Sequence, residues 1–210
     1  MKDLFLISGL GADKRVFDFL DLQGYNVHHL TWIDPDGRES IEAYAKRLTR
    51  QIHIDRPVLI GVSFGGMIGI EIGKLIETEK IILISSAKTG KDIPSNFLTR
   101  NFRLHAFIPS RFIKKPNSFL YWLFGVTREK EKELLQQIME DTNVKFFRWA
   151  LDQIVHWKNE TTLSNIVQIH GTEDRMLPFV SADYEIEGGG HLMIVNRAAD
   201  IDPILKKVLA

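Results

Sequence analysis

The chain has 210 residues, 44% of them hydrophobic and 26% charged, the make-up of one compact domain able to bury a sizeable core. Its 27 basic and 27 acidic residues cancel to a formal net charge of zero, which leaves no electrostatic footprint for nucleic acid. Cysteine is absent, so disulfides, thiolate metal sites and cysteine nucleophiles are excluded together, and any covalent chemistry must fall to another residue.

In chain order, the first apolar run, 4–8, reads as a strand that ends in the glycine turn Gly9-Leu10-Gly11. It is too brief for the hydrophobic region of a secretion signal, and no later run approaches the roughly 20 apolar residues of a membrane span. A cytoplasmic protein without stable membrane insertion is expected. The pattern then predicts a helix over 16–22, a strand over 27–32, a helix over 41–52 with Ser40 as its N-cap, a strand over 58–62, a helix over 67–76 and a strand over 80–85. The segment 88–159 breaks this rhythm: it shows helical periodicity and many aromatics but no strand-like run closed by a glycine turn. Strands resume at 166–170 and 184–187, the second running into Gly188-Gly189-Gly190, and a helix over 198–209 carries Pro203 near its start. The alternation predicts an α/β fold, a doubly wound, mostly parallel six-stranded sheet built from 1–87 and 160–210, with 88–159 as a helical insertion.

Chemistry concentrates at the strand ends. Gly61-Val62-Ser63-Phe64-Gly65 is a G-x-S-x-G string placed where a strand must turn sharply into a helix. Such a turn lifts the Ser63 hydroxyl above the sheet and aims the Phe64 N–H at the place where negative charge develops on an attacked carbonyl. The glycine turn after the first strand offers a second donor, the Leu10 N–H. A dinucleotide fingerprint is the competing reading of that turn, since Asp34 follows about 20 residues on, but Lys14 stands where the third glycine belongs. The stretch His170-Gly171-Thr172-Glu173-Asp174-Arg175-Met176-Leu177-Pro178 places two carboxylates in a turn after a strand; Asp174 is assigned to orient a histidine, with Glu173 as the alternative. His170, at the strand end, reads as a core residue. His191, after the triple glycine, completes the order Ser, Asp, His as general base. The remaining histidines, His28, His29, His53, His105 and His156, show no spacing that proposes a metal, and no cofactor is implied.

On these three motifs the chain resembles the α/β-hydrolase superfamily over nearly its whole length, as a small, capped, esterase-like member. The resemblance implies that the first strand here is the third of the usual eight, that the N-terminal antiparallel hairpin is missing, and that 88–159 is the cap domain. Two departures stand out. The oxyanion turn carries Ser8-Gly9 where the family usually has His-Gly, and the interval from Asp174 to His191 is too short for the helix that commonly fills it.

The insertion carries Phe97, Phe102, Phe107, Phe112, Phe119, Tyr121, Trp122, Phe124, Phe146, Phe147, Trp149 and Trp157. Most of these are needed to build its own core; those that face the cleft would line an apolar acyl or aryl pocket together with Phe64 and Leu10. Lys88, Lys91, Arg100, Arg103, Arg111, Lys114 and Lys115 stand against the single acid Asp92, either a solvated face or an attraction for an anionic substrate, such as a coenzyme A thioester, or for a membrane surface. The expected activity is that of a serine hydrolase acting on a small carboxylic ester or thioester through an acyl-enzyme. The alternatives are a carbon–carbon bond hydrolase or lyase using the same residues, and a non-catalytic small-molecule receptor.

Overall fold

The computed structural model describes residues 1–94 and 113–210. Phe97, Phe102, Phe107, Phe112, Arg100, Arg103 and Arg111 lie outside the described residues.

Six strands, β1 (Asp3–Ile7), β2 (Asn26–His29), β3 (Val58–Val62), β4 (Lys80–Ile84), β5 (Ile166–Gly171) and β6 (Tyr184–Ile186), form one sheet in the order β2-β1-β3-β4-β5-β6. Every pairing is parallel. Chain order reverses beside β1, so β1 and β3 flank the crevice where open parallel sheets place their sites.

Side-chain alternation divides the core. Leu4, Leu6, Ile60, Ile82 and Ile84 face one layer, with α6 (Met193–Asn196) and α7 (Ala198–Leu209). Phe5, Ile7, Leu59, Ile81 and Leu83 face the other, with α1 (Ile41–Leu48) and α2 (Phe64–Gly73). All five residues of β3 are buried, as a central parallel strand requires, whereas the four of the edge strand β2 are exposed. Between β4 and β5 lie α3 (Ser118–Phe124), α4 (Glu129–Asp141) and α5 (Val144–His156).

The predicted elements return with local corrections. In place of a helix over 16–22 there is one 3-10 turn, Lys14–Phe17, capped by Asp13, whose carboxylate accepts the Arg15 N–H and pairs with its guanidinium. Val16, Phe17 and Leu20 are buried all the same, so their spacing records burial and not a helical backbone. β2 stops at His29, and only the Leu30 N–H prolongs the pairing, onto Leu6 O. α1 ends at Leu48 in a 3-10 turn, and α2 begins at Phe64, directly after the serine. Ser40 caps α1 by accepting the Ala43 N–H. Pro203 lies inside α7 beyond its first turn, where it has no N–H to offer the carbonyl four residues back.

Candidate active site

β3 delivers Ser63 in a backbone conformation that L-residues avoid, φ 52° and ψ −120°. Holding a non-glycine residue there costs about 1–3 kcal/mol, so the surroundings must over-determine it. They do. The Ser63 N–H continues the ladder to Ile84 O at 3.0 Å, and its carbonyl accepts both the Gly66 N–H at 2.9 Å and the Ser86 hydroxyl at 2.6 Å. Ser86 is itself fixed, its carbonyl accepting the Gln168 amide at 2.7 Å. Backbone crowds the turn from both sides: a Cβ on Gly65 would collide with the carbonyls of Ile7 and Ser8, and one on Gly61 with Gly65 and Gly66. The glycines on either side of Ser63 are thus imposed by packing.

His191 follows the triple glycine and begins the turn into α6. Its loop is laced to the acid loop by two backbone bonds, Thr172 N–H to Ile186 O at 3.0 Å and Glu173 N–H to Gly189 O at 2.9 Å, and by the Gly188 N–H donating to the Thr172 hydroxyl at 2.8 Å. The two loops therefore reach each other without the intervening helix. His191 Nδ1 lies 2.8 Å from Asp174 Oδ2, and Nε2 lies 2.9 Å from Ser63 Oγ. An ionised carboxylate can only accept, so Nδ1 carries the hydrogen, and the neutral ring is left with Nε2 to accept the Ser63 hydroxyl.

Asp174 is turned inward by its other oxygen, which accepts the N–H groups of Met176 and Leu177, both at 2.9 Å. Burial pushes its carboxyl up, but electrostatic attraction to the His191 ring, the His191 hydrogen bond and the Leu177 N–H outweigh this and hold it below the ordinary value of 3.8. Glu173 points away: its largely exposed carboxylate stands 3.8 Å from Arg175. Of the two candidate acids, the structure brings Asp174 to His191.

His170 is buried, as expected of a core histidine, but stands closer to the chemistry than its sequence position suggests. Its Nε2–H donates to Leu177 O at 2.8 Å and lies 3.4 Å from Asp174 Oδ2, while Nδ1 has no partner among the described residues. A second imidazole thus flanks the acid.

Leu10 lies in the turn Gly9–Ala12, closed by the Ala12 N–H donating to Gly9 O at 3.0 Å. Gly9 packs against Ser63, so the turn borders the serine. The Phe64 N–H belongs to the first turn of α2, where N–H groups have no intrahelical partner.

Phe64 does not line a pocket. Only 1% exposed, its ring is enclosed by Trp32, Phe146 and Trp149, with centroids 5.7, 6.3 and 6.1 Å away. Phe146 and Trp149 of α5 pack on the Phe64 ring and seat that helix over α2, while the half-buried Phe147 lies against Gly11. A cavity of about 570 Å³ lies instead beside the Gly9–Ala12 turn, lined among others by Ser8, Phe17, Trp32, Ile138 and Phe146; Ser63 is not in its wall. Of the basic residues that open the insertion, Lys88 pairs with Asp183 at 3.0 Å and Lys114 donates to Glu140 O at 3.0 Å. No group of three or more His, Asp or Glu among the described residues is placed to hold a metal, and no described helix is long and apolar enough to cross a membrane.

Sequence reasoning passed over Ser86, Trp32 and Thr142. Only Ser86, at the end of a strand beside the serine's own, left a signal that position alone could have raised.

No curated protein sequence matches the chain. Among solved structures, it is similar to a lipase-esterase related protein of Clostridium acetobutylicum ATCC 824, with a TM-score of 0.75, 16% identity, and coverage of 99% of this chain and 94% of that one. It is also similar to an enol-lactonase of Burkholderia xenovorans LB400 (TM-score 0.73, 14% identity, 99% and 91% covered) and to a protein described as a putative lipase of Acinetobacter baumannii AYE (0.72, 16%, 99% and 84%). At these identities the likeness speaks for the fold. The model of the alpha/beta hydrolase family matches residues 4–201, nearly the full length, and the chain belongs to that family.

Proposed function

We propose that the protein is a serine hydrolase that cleaves a small carboxylic ester or thioester through an acyl-enzyme intermediate. The observation that carries this reading is the unbroken hydrogen-bonded line from Asp174 through His191 to Ser63, with the serine held in a strained turn at the end of β3.

In the first half-reaction Ser63 Oγ attacks the carbonyl carbon while its proton passes to His191 Nε2. Asp174 keeps the ring in the required tautomer and stabilises the imidazolium. The carbonyl electrons move onto oxygen, where the Leu10 and Phe64 N–H groups are its donors. Collapse expels the alcohol or thiol, which takes the proton from Nε2. Water then repeats the sequence on the acyl-serine, releasing the acid and restoring Ser63. The residues 88–159 serve as the cap.

The test is reaction of the purified protein with a fluorophosphonate probe, the adduct located by peptide mass spectrometry. Labelling of Ser63 is expected in the wild type and not in Ser63→Ala or His191→Ala. A panel of acyl esters of increasing chain length then defines the substrate. A folded protein that takes no label would sink the mechanism and favour a ligand-binding receptor.

A further inference from the structure

The Gly9–Ala12 turn is held by the side chain that precedes it, Ser8, and by two from remote parts of the chain, Trp32 and Thr142. The Ser8 hydroxyl donates to Ala12 O at 2.9 Å, and the indole N–H of Trp32 donates to the same oxygen at 3.2 Å, so both lone pairs of that carbonyl are used. The Thr142 hydroxyl, at the end of α4, lies 3.0 Å from Gly11 O and 2.9 Å from Ile138 O and shares its hydrogen between them. Ser8 is 4% exposed and Thr142 7%, so these are protected bonds, not solvent-competed ones. With Gly9 O already taken by the Ala12 N–H, the carbonyls of Gly9, Gly11 and Ala12 are all pinned. The Leu10 N–H donates to no described residue.

We propose that Ser8, Trp32 and Thr142 are the positioning residues of the oxyanion turn, fixing the peptide that presents the Leu10 N–H before substrate arrives. The proposal rests on the acyl-transfer reading above. Its physical basis is that an oxyanion donor works only if it need not reorganise when charge develops. Free to rotate, a glycine-flanked peptide would lose that advantage. With the Gly9, Gly11 and Ala12 carbonyls all tied, the turn cannot rotate its peptides without breaking one of these bonds. Ser8 thus has a task at the position where the family pattern has histidine: its hydroxyl reaches four residues ahead and closes the turn on itself. Thr142 brings the insertion into the same arrangement, so the seat of α4 and α5 bears on the turn directly.

Ser8→Ala, Trp32→Phe and Thr142→Val each remove one of these donors and keep most of the side-chain volume. Turnover of p-nitrophenyl butyrate and the rate of Ser63 phosphonylation are expected to fall about 10- to 100-fold in Ser8→Ala and Trp32→Phe, and less in Thr142→Val, with KM changed by less than about twofold. Inhibition by a trifluoromethyl ketone, whose hemiketal adduct carries the oxyanion, should weaken in proportion to the fall in kcat/KM. Thr142→Ser, which keeps the hydroxyl, should restore both. Melting temperatures establish that each variant is folded. Folded variants that phosphonylate at the wild-type rate overturn the proposal, and so do variants in which KM rises while the ketone binds unchanged. If the wild type neither labels on Ser63 nor turns over any ester, this proposal and the acyl-transfer reading fall together; wild-type labelling that Ser8→Ala leaves intact removes the proposal alone.

Discussion

Asp174 is buried so completely that its side chain exposes no surface, yet its carboxyl is held below 3.8 by His191 and by the Leu177 N–H of the acid loop. A depressed folded value means that the ionised form is bound more tightly in the folded state than in the unfolded chain. The resulting stabilisation is fully present above 3.8 and is lost as pH falls through the lower, folded value. Urea unfolding of the wild type and Asp174→Asn between pH 7 and pH 3 tests this: the stability gap between them should be constant at the upper end and shrink below 3.8. The same substitution puts an amide where a carboxylate held the ring, so Nδ1 no longer has an anionic acceptor. On the acyl-transfer reading, kcat for an ester is expected to fall by about 10³- to 10⁴-fold at neutral pH. Adjacent in sequence, Glu173 and Asp174 offer the same chemistry, and nothing in their spacing separates them. What does so is the orientation of one side chain by Met176 and Leu177, a product of the folded loop.

At the scale of elements, the junction from β3 to α2 shows why one motif was legible. Gly61 and Gly65 are glycine because backbone lies where a side chain would be, so their identity records the fold directly. Gly65→Ala must push its Cβ into the carbonyls of Ile7, the last residue of β1, and Ser8, the residue that follows it, both backbone groups with little room to yield. It is expected to cost more than about 3 kcal/mol, or to prevent folding. Gly24→Ala provides the contrast: φ is 87° there, but nothing lies within 4 Å, so only backbone strain of about 1–2 kcal/mol is expected. Urea denaturation of the two variants separates crowding from strain. The segment after β1 was misread for the converse reason. Val16, Phe17 and Leu20 are apolar because they meet the core, and a 3-10 turn with an irregular continuation buries them as well as a helix would. The partners of the Gly9–Ala12 turn were not legible either, because Trp32 and Thr142 come from remote parts of the chain and join the turn only once the sheet and α4 have assembled.

At the scale of the molecule, the helices between β4 and β5 are anchored at points that differ in their relation to the site. Trp157, just beyond α5, is 2% exposed and donates its indole N–H to the buried carboxylate of Glu71 at 2.8 Å, which also holds Lys74 at 2.8 Å. Trp157→Phe should cost about 1–3 kcal/mol, because a buried charged acceptor loses a donor. It leaves the strand-end loops untouched, so the phosphonylation rate of the folded protein should stay close to that of the wild type. The end of α3 is anchored to the histidine loop, to the end of α6 and to the acid loop. Phe124 O accepts the Leu192 N–H at 3.0 Å, Gly125 O accepts the Asn196 amide at 3.1 Å, and Arg175 donates to Trp122 O at 2.7 Å. Gly125 caps α3 at φ 70° with Gly190 so close that an added Cβ would stand 3.0 Å from its Cα. Gly125→Ala therefore combines strain at the cap with a push on the residue before His191. A stability loss comparable to that of Trp157→Phe is expected, but with slower labelling of Ser63, since small displacements along the proton path from Ser63 to His191 are costly. Equal stability losses with equal labelling rates in the two variants would mean that α3 is merely packed against the loop and does not help to place the histidine.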